Sequence, residues 1–248
     1  MTVRFSPFDP KLSDLPDVLP VFPLPGVLLL PGGRLPLNVF EPRYLNMVRD
    51  SLAGSRLIGM VQPAQDEERG FELEPGGDSI FQAASGSGSV SGGDVGSATV
   101  YRTGCAGRIV AFSETDDGRI LLTLKGLIRF RIDRELPVLD GYRRVCPDFA
   151  AFAEDLAQAE TSFDRDRLLV ALRTYFEQHG IEADWGAIQE APNGRLVTSL
   201  AMVCPFSPAE KQALLEAPDL CERAQMMMTI LEMSVLGAEQ SGAPASRH

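Results

Sequence analysis

Short apolar runs separated by Pro and Gly dominate the start of the chain, a pattern typical of β-strands joined by tight corners. Residues 18–24, 27–30 and 35–40 are predicted strands, with corners at 25–26 and 31–33. Prolines in these runs cannot donate hydrogen bonds to a neighbouring strand. The strands are therefore expected to be short, bent or at a sheet edge, with incompletely paired edges that could accept an extended chain.

Further strands are predicted over residues 56–62, 100–112, 120–124, 127–132 and 142–145. The dipeptide Asp117-Gly118 is a hairpin signal between two of these runs, and Asp140-Gly141 marks another turn. Gly126 is expected to end the strand that precedes it. About six strands result, which is enough for a small barrel.

Helical spacing replaces this pattern after Pro147. Helices are predicted over 149–159, from a capping box of Thr161 and Asp164 through residue 178, over 196–204, from Ser207, and from Asp219 to 236, with a short turn after Asp184. Pro42 is predicted to open an earlier helix. The sequence thus predicts an α+β protein with a barrel at 18–147 and a helical subdomain at 148–237. Residues 1–17 and 238–248 are expected to be irregular, and the Gly/Ser-rich stretch within 63–98 is expected to be a flexible insertion.

Four segments resemble the amino-terminal, substrate-binding domain of Lon proteases, especially its stand-alone bacterial form. They are LPVFPLPGVLLLPG from residue 19, FEPRY at 40–44, GCAGRIVAFSETDDGRILLTLKGLIRFRI at 104–132, and VCPFSPAEKQALLEAPDLCERA at 203–224. The resemblance implies a PUA-like pseudo-β-barrel followed by a helical subdomain, and a non-catalytic role in binding polypeptide. Unfolded or extended polypeptide is then the expected partner, with a separate protease or chaperone as a further candidate.

Catalysis by the parts that define Lon is not expected. A P-loop needs Gly-Lys-Ser/Thr, but the three lysines Lys11, Lys125 and Lys211 follow Pro, Leu and Glu. The four cysteines are scattered, and the two histidines complete no metal-binding spacing, so no cofactor or metal is expected. Two Gly-Gly-Asp triplets are a weak calcium signal.

The formal charge of −11 makes nucleic acid and anionic membranes poor partners. No apolar run is long enough for a signal sequence or a membrane helix, so a cytoplasmic protein is expected. Two alternatives to polypeptide binding stay open. One is an RNA-binding PUA-like module, using the basic stripe Arg129, Arg131, Arg134, Arg143 and Arg144. The other is an enzyme acting on an unknown small molecule.

Candidate polypeptide-binding residues are Leu30, Arg43 and Tyr44. Glu41 and Arg43 stand at a predicted helix start, where their charges serve equally well as helix-end interactions or as ligand contacts. The Met226–Met228 cluster is a second candidate, because Met side chains adapt to varied partners, although helical spacing also favours core packing.

Overall fold

The computed structural model describes residues 10–64, 99–157 and 162–241, with side chains up to residue 237. The chain divides into two compact units between residues 157 and 158. In chain order the first unit contains β1 (Leu19–Pro23), β2 (Arg34–Val39), α1 (Pro42–Ala53), β3 (Leu57–Val61), β4 (Thr103–Glu114), β5 (Ile120–Leu139) and β6 (Tyr142–Asp148), with short 3-10 helices at Leu12–Asp14 and Ala150–Leu156.

The six strands form one mixed sheet in the order β2-β5-β4-β3-β1-β6, and a further pairing of β5 with β6 closes five of them into a ring. β1 and β3 are parallel, and the other pairs are antiparallel. Closure is possible because β5 is 20 residues long: its first part pairs with β2 and β4, and its later part pairs with β4 and β6. The predicted α+β class with about six strands is confirmed.

Gly126 does not end a strand, so that expectation was wrong. β5 runs through it, and a Cβ atom placed there would lie 2.0 Å from the carbonyl oxygen of Leu30. The glycine instead allows the backbone of the preceding corner to approach, with Gly32 N donating to Gly126 O and Gly126 N donating to Gly33 O, both at 2.9 Å. Close backbone approach is a common reason for glycine inside a strand.

Residues 27–30 are also not a strand, although Leu28, Leu29 and Leu30 are buried. Gly26, with a φ of +69°, turns the chain before them. Gly33 N then donates to Leu30 O at 2.9 Å and starts the turn that leads to β2. Consecutive apolar residues can therefore be buried on an irregular segment, where neighbouring side chains need not alternate between two faces.

The two predicted hairpin turns are confirmed. Gly118 has a φ of +81° between β4 and β5, and Asp140 and Gly141 have φ values of +46° and +86° between β5 and β6. At Asp140-Gly141, positive φ at both central residues suits the right-handed twist of the flanking strands, and Asp-Gly tolerates it.

The core of the first unit lies inside the ring of strands and includes Leu19, Ile128, Phe130 and Val145. The 3-10 helix Ala150–Leu156, where the sequence predicts an α-helix, packs on this core through Phe152 and Leu156. Asp155 on this helix binds Arg129 of β5 with Oδ1 to Nη2 at 2.8 Å, and both side chains are almost fully buried. The first compact unit therefore extends past Asp148.

The second unit consists of α2 (Arg165–His179), α3 (Trp185–Glu190), α4 (Asn193–Val203), α5 (Pro208–Glu216) and α6 (Leu220–Ser241). The side chains of Asp164, Asp184 and Ser207 accept hydrogen bonds from the first turns of α2, α3 and α5. The caps at Asp184 and Ser207 are those predicted, whereas α2 begins after Asp164, three residues later than a capping box of Thr161 and Asp164 predicts. Gly180 ends α2 in a left-handed conformation. α6 continues to Ser241, beyond the predicted start of an irregular tail.

Part of the predicted organisation lies outside the described residues: residues 65–98 of the insertion, residues 1–9 of the arm and residues 242–248 of the tail. The domain limits at 147 and 237 and the flexibility of the insertion stay predictions.

Candidate functional site

β2 is the strand of the first unit that the described residues leave paired on one side. Its register with β5 runs from Arg34 opposite Lys125 to Val39 opposite Ile120, and within residues 10–64, 99–157 and 162–241 no strand pairs with its other edge. Pro36 lies within β2, in agreement with the expectation that proline marks an edge strand.

β1 differs from the expectation drawn from its prolines, because it is paired on both sides. A staggered register reconciles Pro20 and Pro23 with this central position. β6 pairs with residues 19–21 and β3 with residues 21–23, so each proline lies where one of the two ladders is absent. β1 is therefore short and not an edge strand, but each of its prolines is paired on one side only, as incomplete pairing at proline predicts, and at Pro36 no second strand pairs with β2 among the described residues.

The predicted binding residues flank the two ends of β2. Leu30 precedes the turn into β2 and is fully buried, and its carbonyl oxygen accepts from Gly33 N. Arg43 and Tyr44 follow the other end, in the first turn of α1. The structure thus places all three around one strand, with Leu30 and Tyr44 buried and the side chain of Arg43 partly exposed. Their contact with a ligand stays a prediction.

Arg43 is held by its sequence neighbours. Its Nε and Nη2 atoms donate to Oε2 of Glu41 at 3.0 and 2.7 Å, and its guanidinium lies 4.6 Å from the centre of the Tyr44 ring. The Tyr44 ring packs against Phe22 of β1 at 4.1 Å between ring centres, and burial raises the pKa of its hydroxyl. This arrangement fixes the start of α1, and through it the end of β2.

Asn38 and two exposed apolar side chains distinguish the open strand. The Oδ1 atom of Asn38 is buried, with no hydrogen-bond partner among the described residues. A buried acceptor without a donor costs about 1–3 kcal/mol, which a ligand with an N–H or O–H group would recover. Leu121, opposite Asn38 on β5, is 46% exposed, and Phe40, two residues after Asn38, is 42% exposed.

Sequence reasoning missed Asn38 and Leu121. They are 83 positions apart in the chain, and only the β2–β5 register brings them to one face of the sheet. The available signal was Pro36 inside an alternating run, which marks an edge strand but does not name the neighbour on its paired side.

The basic stripe is mostly neutralised by carboxylates. Arg129 pairs with Asp155, Arg134 with Asp133 and Arg143 with Glu135, so three of its five arginines are in ion pairs. Nη2 of Arg144 donates to the carbonyl oxygen of Pro137 at 3.1 Å. A stripe with this much internal pairing offers little positive field to a phosphate backbone.

The other candidate residues are buried, or they belong to no cluster of catalytic or metal-binding groups in the described part of the chain. Met227 and Met228 are core residues of α6. Burial raises the pKa of the Cys204 thiol to about 12, which makes it a poor nucleophile at neutral pH. Among the described residues no group of His, Cys, Asp or Glu side chains could hold a metal ion, and the Gly-Gly-Asp triplets lie outside them. No helix in the described part of the chain is long and apolar enough to cross a membrane.

Comparison with known proteins gives this geometry its context. The model of the ATP-dependent protease La (LON) substrate-binding domain matches residues 18–233. The chain belongs to the LON substrate-binding domain family. The match contains every strand of the sheet, including β2, and the helices of the second unit down to most of α6.

Among curated proteins, this chain is similar to Lon proteases. Lon protease 2 of Myxococcus xanthus is 24% identical over 222 residues, which cover 88% of this chain and 24% of that protein. Lon protease of Dictyoglomus thermophilum is 27% identical over 229 residues, covering 91% of this chain and 26% of that protein. The chain therefore spans about a quarter of the length of these relatives.

Two solved structures share the fold. A Lon N-terminal domain protein from Xanthomonas campestris matches with a TM-score of 0.54 and 22% identity, covering 86% of this chain and 97% of that one. The N-terminal domain of the Mycobacterium avium complex Lon protease matches with a TM-score of 0.51 and 13% identity, covering 87% and 98%. This chain thus shares its fold with these two domains.

Proposed function

We propose that this protein binds unfolded or extended polypeptide segments, and that the outer edge of β2 receives them. Membership of the LON substrate-binding domain family supports a substrate-binding role, and the open edge of β2 is the observation that carries the choice of site. A separate protease or chaperone would then take over the bound chain. The protein itself supplies no P-loop for ATP-driven steps.

Addition of a strand explains how one site accepts many sequences. An extended peptide beside β2 gains main-chain hydrogen bonds, which every sequence except proline offers. Side-chain recognition comes from Leu121, which lies opposite Asn38, and from Phe40, which directly follows β2; both present exposed apolar surface. The buried Oδ1 of Asn38 offers a further acceptor to a donor on the incoming chain.

The three binding residues predicted from the sequence each have a defined role in this proposal. Arg43 contacts the ligand where it leaves the Phe40 end of β2, since its side chain remains partly exposed. Leu30 and Tyr44, being buried, act by fixing the two ends of the strand. Affinity is expected to be about micromolar or weaker, because an unfolded segment loses conformational entropy when it docks.

RNA binding has weaker support. The basic stripe that suggested it is mostly ion-paired, and the chain as a whole carries a charge of −11. Apolar and main-chain contacts to a peptide depend little on salt, whereas phosphate contacts weaken steeply as salt is added.

The test is a fluorescence-anisotropy titration of a labelled, permanently unfolded polypeptide at low and high salt. Saturable binding that survives high salt is expected. The double variant Phe40→Ser/Leu121→Ser should weaken binding about tenfold or more, because each apolar side chain that packs against the peptide contributes about 1 kcal/mol or more. The matched control is Val138→Ser, which removes an apolar side chain of similar or greater exposure near the tip of the β5–β6 hairpin. Absence of saturable binding, or an equal weakening in the control, would contradict the proposal.

A further inference from the structure

The hydrogen bonds at Gly126 show in which direction the main-chain groups of β5 point. Gly126 N donates to Gly33 O, and Gly126 O accepts from Gly32 N, both at 2.9 Å. The N–H and the C=O of Gly126 therefore both point towards the corner that leads into β2. In an antiparallel pair this direction alternates from one residue to the next, so the main-chain groups of the neighbouring Lys125 point away from β2.

The same alternation fixes the direction of the main-chain groups along β2. Arg34 lies opposite Lys125, and the register with β5 continues without a shift to Val39. Because opposite residues of an antiparallel pair either both face each other or both face away, Arg34, Pro36 and Asn38 point their main-chain groups to the outer edge of β2. Pro36 thus lies at a position where its missing N–H removes no hydrogen bond between β2 and β5.

The missing N–H of Pro36 instead faces the edge at which a peptide is proposed to dock. Arg34, Pro36 and Asn38 each offer a carbonyl oxygen there, but only Arg34 and Asn38 also offer an N–H. A strand added to this edge would form complete pairs of main-chain hydrogen bonds at these two residues, about 13 Å apart. The carbonyl group of the added strand that faces Pro36 would meet no donor.

A carbonyl group without a donor separates two classes of ligand. A single peptide is free on its other edge, so it can bulge by one residue and let water bond to that carbonyl. A strand that already belongs to a sheet holds its carbonyl groups in a fixed row, so the one opposite Pro36 would be buried without a donor. Two copies of β2 paired edge to edge would lose two hydrogen bonds, because each copy lacks one donor.

We propose that Pro36 determines the specificity of the β2 edge: it admits single extended polypeptide segments and rejects strands that need a continuous ladder, including β2 of a second copy. This inference rests on the proposed capture of polypeptide along β2 and adds the class of ligand. Proline protects edge strands from pairing with other sheets, and here the protection lies on the outer edge alone. The sequence marks Pro36 as an edge residue, but only the hydrogen bonds at Gly126 show which edge lacks the donor.

The variant Pro36→Ala tests the proposal, because it adds the N–H at an exposed position without adding a large side chain. In a fluorescence-anisotropy titration, a labelled unfolded peptide should bind Pro36→Ala about 2- to 12-fold more tightly than the unchanged protein, as one additional net hydrogen bond provides. The matched control is Pro137→Ala, which replaces an exposed proline of β5 outside the register with β2. It should leave the affinity for the peptide unchanged.

Two measurements without peptide complete the test. In sedimentation velocity, Pro36→Ala should self-associate more strongly with rising concentration than either the unchanged protein or Pro137→Ala. In hydrogen exchange followed by NMR at low concentration, the new amide at position 36 of Pro36→Ala should exchange rapidly, whereas the amides of Leu35 and Leu37, which point to β5, should exchange slowly. Addition of the peptide should then slow exchange at position 36.

The outcomes separate this proposal from the capture of polypeptide. Unchanged peptide affinity in Pro36→Ala, or a slowly exchanging amide at position 36 before peptide is added, overturns the role of Pro36. Tighter peptide binding without self-association overturns the rejection of a second copy. Failure of both the unchanged protein and Pro36→Ala to bind peptide overturns capture along β2, and self-association, which needs no peptide, then decides the role of Pro36.

Discussion

At the scale of single residues, the most consequential contact outside the candidate site is the pair Arg129 and Asp155. The guanidinium donates to both carboxylate oxygens, and the Arg129 N–H donates to Oδ2 at 2.9 Å. The two side chains are only 4% and 10% exposed. This pair fastens the 3-10 helix Ala150–Leu156 to β5.

Removing one partner of this pair is expected to be severe. Asp155→Ala leaves a buried guanidinium without its counter-charge and should lower the free energy of unfolding by about 3–5 kcal/mol. Asp133→Ala, which breaks the exposed pair with Arg134, is the control and should cost less than about 1 kcal/mol. Urea unfolding followed by circular dichroism measures both. Equal effects of the two substitutions would show that the 3-10 helix is not fastened in this way.

A second residue-scale prediction concerns alkaline pH. Burial and the hydrogen bond from Tyr142 Oη to Oδ2 of Asp50, 2.7 Å long, raise the pKa of Tyr142 to about 12 from its usual value near 10. A raised pKa contributes stability that is complete below pH 10 and is lost as the pH rises towards 12.

Tyr142→Phe should therefore be less stable than the unchanged protein at pH 8, and the difference should shrink between pH 10 and 12. Urea midpoints measured across this range test it. Tyr175, whose pKa burial also raises to about 12, titrates in both proteins and so does not affect the difference. A stability difference that stays constant up to pH 12 would contradict the assigned role of Asp50.

At the scale of elements, replacing a glycine by alanine is expected to have opposite effects on stability in strand β5 and in helix α6. Gly126→Ala would place Cβ 2.0 Å from Leu30 O, so backbone must move, and a loss of about 3 kcal/mol or more is expected. Gly237→Ala in α6 meets no atom within 4 Å and should stabilise the helix by about 0.5–1 kcal/mol. Thermal unfolding of the two variants measures these effects. If Gly126→Ala lowered the stability only slightly, the corner at Leu30 would not be packed against β5.

Elements whose signal is local were predictable from the sequence. The Ser207–Glu210 capping box, the Asp-Gly hairpin turns and the helix end at Gly180 depend on residues within a few positions, and each is found where it was predicted. Pairing partners are not local. Nothing near Pro20 indicates that β3 and β6 pair with different halves of β1, and nothing near Gly126 indicates that Leu30 approaches it.

The candidate site also contains residues with a local sequence signal and residues without one. The motif of residues 40–44 was visible because its members are adjacent, whereas the face of Asn38 and Leu121 required the register of β2 with β5. A single sequence carries no signal for such a face, since each of its residues is ordinary in its own strand.

At the scale of the whole molecule, the net charge bears on the choice of partner. The charge of −11 disfavours nucleic acid in general. An acidic protein should repel most polyanions at long range. It would still accept an extended polypeptide that can add a strand to β2.

The whole-molecule prediction is that the protein alone hydrolyses neither ATP nor an unfolded protein substrate, because a binding module of this family needs no catalytic centre of its own and the chain lacks a P-loop. Coupled-enzyme detection of ADP and release of acid-soluble peptides measure the two reactions. A full-length Lon protease serves as the positive control. Reproducible turnover that survives further purification would contradict the prediction.

Capture of polypeptide along β2 is tested most directly by amide hydrogen exchange with and without a saturating unfolded peptide. The amides of β2 that point away from β5 have no strand partner among the described residues. A docked strand should slow their exchange about tenfold or more, with less change in β3, which is already paired on both sides. Protection concentrated in residues 34–40 is the expected result. Saturable binding of the peptide with unchanged exchange in 34–40 would contradict this site.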